Sequence, residues 1–113
     1  MKRSKKEFGV VKTLRDDDHL MVDGRCFEGP LAVGDVFRQL YRLAPVVPKT
    51  EAGWNLVAAD FRQVSLRIDD IIYFRQSIES LSTGHTARLS LAGDGLELVR
   101  DDGYEVLGIE LDA

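Results

Sequence analysis

The chain has 113 residues, 44% apolar and 30% charged, which fits one globular domain able to bury about two thirds of its unfolded surface without a disulfide or metal. Its formal net charge of −4 is unevenly placed: residues 1 to 15 carry +5 and the rest −9, so only the head suits a phosphate backbone. A single cysteine, Cys26, excludes an internal disulfide and a multi-cysteine zinc site. No run approaches the ~20 apolar residues of a membrane helix, and the basic start leads into no signal-peptide apolar region, so a cytoplasmic location is expected.

Residues 1 to 7, rich in lysine and arginine, predict a basic head ahead of one domain spanning 8 to 113. Phe8 to Leu14 forms a first strand, with Phe8, Val10 and Leu14 at alternate positions and Lys12 interrupting that face. Asp16, Asp17, Asp18 and His19 are residue types that bind divalent cations. They lack the spacing and glycine of a calcium loop, so a turn is predicted and no metal site. His19 to Phe27 gives a second strand, within which Asp23-Gly24 favours a tight turn or bulge.

Glu28-Gly29-Pro30 makes a sharp connection into a third strand around Val36 to Arg42. Cys26 reads as a small core residue rather than a nucleophile, since nothing in the sequence pairs it with either histidine. From Leu43 to Gly53 the pattern lapses, and two prolines predict an extended surface loop. Because loops carry binding more often than the framework does, Pro45, Pro48, Lys49, Glu51 and Trp54 are the candidate partner-binding residues.

The second half has the clearest alternation: Val64, Leu66 and Ile68 against Ser65, Arg67 and Asp69. Ile71 to Phe74 extend it. The spacing of Phe74, Ile78 and Leu81 predicts one short helical turn. Ala87, Leu89 and Leu91 mark another strand. Leu96 to Val99 and Tyr104 to Leu111 finish the chain around the turn signal Asp101-Asp102-Gly103.

Gly29-Pro30-Leu31 followed by Val33-Gly34-Asp35-Val36-Phe37 resembles a corner in the second domain of the translation elongation and initiation GTPases, of which elongation factor Tu is a member. Ile72 to Arg75, Ile78, Leu81 and the stretch Gly84 to Leu91 with Gly93 look like a second segment of that domain, and Gly103 to Leu107 stands where it closes. The resemblance implies an all-β fold: a closed six-stranded antiparallel barrel. It implies no nucleotide chemistry, because no Gly-x-x-x-x-Gly-Lys-Ser/Thr loop is present. In elongation factor Tu the barrel helps hold the aminoacyl end of transfer RNA, a surface not written into the motifs matched here.

No nucleophile elbow, paired carboxylates or metal-ligand spacing supports an enzyme, and no motif asks for a cofactor. The sequence instead suggests a protein-interaction module of regulatory or immunity-like type, its acidic body docking on a basic partner. An RNA- or ribosome-associated accessory factor, using the basic head, is the alternative. A ligand inside the barrel ranks lowest, since six strands leave a lumen filled by side chains. Barrel closure leaves few free edges and predicts a monomer.

Overall fold

The computed structural model describes residues 3–16, 18–45, 56–101 and 104–112. Six long strands carry the fold: β1 (Arg3–Arg15), β2 (Leu20–Glu28), β4 (Val36–Pro45), β5 (Leu56–Tyr73), β8 (Thr86–Asp94) and β9 (Glu105–Asp112). They hydrogen-bond in the order β4-β9-β1-β2-β8-β5, and β5 pairs back onto β4, so an antiparallel barrel closes. Three short strands decorate it. β3 (Leu31–Ala32) pairs with β7 (Ser80–Leu81), and β6 (Gln76–Ile78) folds back on the end of β5.

Alternation explains which side chains enter the lumen. Phe8 of β1, Leu20, Val22 and Cys26 of β2, Phe37 and Leu40 of β4, and Leu89 and Leu91 of β8 are all buried, at spacings of two along most strands. In β5, Val64, Leu66 and Ile68 point inward, but the next interior residue is Ile71. An extra residue, Asp69, sits in the ladder between the pairs Ile68–Leu91 and Asp70–Ser90. That bulge switches the interior set from even to odd positions and bends the strand around the core.

The structure departs from the sequence reading in three places. Residues 3 to 7, expected as a head in front of the domain, belong to β1 and pair with β9 from Arg3–Asp112 to Glu7–Gly108. Leu43 to Pro45, expected to begin the loop, instead continue β4 opposite Ala58 to Leu56. Pro45 is tolerated because it is the last residue of that strand, where a missing donor breaks no interior ladder.

The expected helical turn over Phe74 to Leu81 is also absent. Tyr73 pairs with Gln76, leaving Phe74 and Arg75 as a two-residue hairpin loop with φ of 49° and 65°, the geometry of a type I′ turn. The short helical element falls elsewhere, as a 3-10 turn over Leu96–Leu98. The apolar spacing of Ile78 and Leu81 reflects two different strands, β6 and β7, packing on one core.

Candidate functional site

The outer wall near the β1–β2 pairing is built by a bulge and two glycines. Val10 pairs with Gly24 and Lys12 with Asp23, so Val11 is an extra residue in β1. Its side chain is turned out and 71% exposed. A Cβ at Gly24 would lie 1.9 Å from the carbonyl oxygen of Gly9, and one at Gly9 would lie 2.3 Å from the Phe27 ring. Glycine at both positions lets the two backbones close up and lets Phe27 lie across β1.

Two depressions flank Val11 and share it. The first, about 350 Å³, is lined by Val11, Asp23, Gly24, Ile72, Tyr73, Phe74, Thr86 and Ala87. The second, about 220 Å³, is a socket lined by Gly9, Val10, Val11, Arg25, Phe27, Leu43, Tyr104, Glu105 and Val106. Around them Phe74 is 83% exposed, Tyr104 80% and Phe27 41%. Three aromatic rings and a valine thus gather around two adjoining depressions as an apolar strip, whereas the other large exposed apolar side chains, Leu14, Val33 and Phe61, line neither depression. Such an exposed patch marks a contact surface.

Charges around the strip are partly spoken for. Arg88 donates from Nε to Oδ1 of Asp23 at 2.6 Å and from Nη2 to Oδ2 at 3.0 Å, and this hydrogen bonding holds the Asp23 carboxyl below its usual range. His85 Nδ1 lies 3.0 Å from the Tyr73 hydroxyl. Glu105 is sealed: its side chain has no exposed surface, and it accepts from Arg42 Nε at 3.2 Å, Arg62 Nη2 at 2.5 Å and the Arg100 amide at 2.6 Å. Arg25 is different. It is exposed, and its side chain makes no hydrogen bond or ion pair among the described residues.

The other titratable groups of catalytic type are held in structural contacts. Cys26 is fully buried with Sγ 3.8 Å from the Leu81 carbonyl oxygen, and burial pushes its thiol pKa up. His19 Nε2 is 3.3 Å from Asp69 Oδ2, and the backbone amide of Asp16 donates to the His19 carbonyl in the predicted turn. Among the described residues no three of His, Cys, Asp and Glu are grouped to hold a metal ion. None of the described helices is long and apolar enough to cross a membrane.

Of the partner-binding residues expected from sequence, Pro45 ends β4 opposite Leu56; Pro48, Lys49, Glu51 and Trp54 lie outside the described residues. The strip is made by residues the sequence reading assigned to framework. One local signal could have exposed it: Gly9 and Gly24 fall inside strands, where glycine marks a bulge or close approach.

No protein-family model and no curated protein sequence matches the chain. Among solved structures, the fold is similar to translation elongation factor SelB from Methanococcus maripaludis in its apo form. The TM-score is 0.63 at 15% sequence identity, covering 93% of this chain. The chain spans 19% of the length of that protein. The barrel is therefore of the kind found in the second domain of translation factors, as the corner around Gly29-Pro30 and the segment Ile72 to Gly93 suggested.

Proposed function

We propose that the chain is a non-catalytic, monomeric barrel that binds another protein through the strip formed by Val11, Phe27, Phe74 and Tyr104. The observation that carries this is the exposure of three aromatic rings around two adjoining depressions, on a wall whose glycines and bulge present them outward. Aromatic side chains dominate contact energetics because they bury large areas at little entropic cost. The burial of Cys26 and the side-chain contacts of both histidines support a binding role over a chemical one. A regulatory or inhibitory subunit is the role such a module fits.

The likeness of the fold to a translation elongation factor favours a second reading, a barrel that associates with RNA or the ribosome. Affinity capture from lysate separates the two. Three baits serve: the intact chain, a Val11→Asp/Phe74→Ser variant, and a chain with residues 46–55 replaced by a Gly-Ser linker. A protein captured by the intact chain and the linker variant but lost with the strip variant is the expected result. Capture of ribosomal components or transfer RNA irrespective of the strip would replace this reading with the second.

A further inference from the structure

Arg25 lines the socket with Val11, Phe27, Leu43, Tyr104 and Val106. Its guanidinium, which reaches to 3.9 Å from the Cβ position of Gly84, has no hydrogen-bond or ion-pair partner among the described residues. The socket's other ionic residue, Glu105, already accepts from Arg42, Arg62 and the Arg100 amide and has no capacity facing outward. At about 220 Å³ the socket is smaller than a drug-sized ligand requires and suits one side chain. We propose that it receives an acidic apolar segment of a partner protein, with an aromatic or branched aliphatic side chain in the socket and a neighbouring Asp or Glu on Arg25.

Charge complementarity carries the choice of partner. Next to the strip, Lys12 follows Val11 and Arg75 follows Phe74, set against Glu28, which follows Phe27, while Asp23 is neutralised by its two-pronged contact with Arg88. The strip is thus locally basic although the chain carries −4 overall. Net charge alone points to a basic partner; the local field at this site selects the opposite sign. A nucleic acid would also be acidic, but the walls of the socket are mostly aliphatic and aromatic carbon, and outside Arg25 they offer few groups to read base edges.

This inference rests on the protein-binding reading and deepens it. Random peptides displayed on phage would be selected against the intact chain, an Arg25→Glu variant and a Val11→Asp variant. Both positions are exposed, and circular dichroism with a urea midpoint confirms that the variants fold. The intact chain is expected to select an aromatic or branched aliphatic residue adjacent to Asp or Glu. Synthetic versions of those peptides should bind Arg25→Glu about tenfold more weakly, and that variant's own selection should switch to Lys or Arg while keeping the apolar residue. Val11→Asp should select nothing.

Selected peptides without a carboxylate, or binding indifferent to Arg25→Glu, would overturn the acidic-segment inference and leave the protein-binding reading standing. If no peptide were selected while a labelled single-stranded RNA bound the intact chain and was lost on Arg25→Glu, both would fall.

Discussion

Arg62 Nη2 lies 2.5 Å from Oε2 of Glu105, joining β5 to β9 through a carboxylate with no exposed surface. The same oxygen accepts from Arg42 of β4, and Oε1 accepts from the Arg100 amide just after the 3-10 turn. One side chain therefore ties three strands and an irregular segment at the point where β5 pairs back on β4. Removing the carboxylate leaves the Arg100 amide without this acceptor and takes the charged acceptor from both guanidinium groups in a partly buried setting. Glu105→Ala is expected to cost about 3 kcal/mol, read as a shift of the urea midpoint at unchanged slope. A loss below about 0.5 kcal/mol, the scale of an exposed pair, would show that the cluster contributes little.

Gly9 and Gly24 make a contrasting pair. At Gly24 an added Cβ meets backbone, 1.9 Å from the Gly9 carbonyl, whereas at Gly9 it meets the end of the Phe27 side chain at 2.3 Å. A ring can swing away; a paired backbone cannot. Gly24→Ala should destabilise by about 3 kcal/mol and Gly9→Ala by about 1 kcal/mol. Gly9→Ala should also weaken partner binding by displacing Phe27 from the strip. Equal costs in thermal unfolding would contradict the rigid approach of the two strands.

The Phe74-Arg75 loop stores strain at the strip. Both residues hold positive φ, which L side chains adopt only at a cost of order 1 kcal/mol each. Replacing the pair with Asn-Gly, the residues this turn prefers, should raise stability by about 1 to 2 kcal/mol. It should also weaken partner binding, because the 83% exposed ring of Phe74 is lost. Calorimetry and a binding titration on the same variant test both halves, and a gain in stability with unchanged binding would remove Phe74 from the contact surface.

Acid stability should respond to the Asp23–Arg88 contact. The Arg88 hydrogen bond depresses the Asp23 pKa in the folded chain relative to its ordinary value of about 3.8. The stabilisation is present above that value and is lost as pH falls through the lower, folded-state pKa. Arg88→Met should lose about 0.5 kcal/mol at neutral pH, discounted for solvent exposure, and should show a shallower decline in urea midpoint below pH about 4. Parallel declines in the two proteins would dissociate the pair from the acid transition.

Cys26 offers a probe of the closed barrel. It is fully buried, and burial raises its thiol pKa, so little thiolate is available. An aromatic disulfide reagent should react at a rate set by opening of the fold and become fast in urea. Rapid stoichiometric reaction of the native chain would show that β2 is accessible at that point.

The sequence by itself determined the all-β class, the strands around Val64 to Ile68 and Ala87 to Leu91, and the inward position of Cys26. Period-two alternation is local, and burying one face is what makes such strands stable. The Gly29-Pro30 corner and the order of the later segments also pointed to the barrel type. Only the tertiary structure decided that the strand begins at Arg3, because what holds residues 3 to 7 in β1 is β9, about a hundred residues later. It also decided that Phe74 to Leu81 is a hairpin and not a helical turn, since Phe74, Ile78 and Leu81 fit either geometry until β5 supplies a partner for Gln76. The strip was hidden for the same reason. Val11, Phe27, Phe74 and Tyr104 stand far apart in the chain, and they meet on one wall only because the register of β1 on β2 leaves Val11 unpaired and two glycines let the strands close.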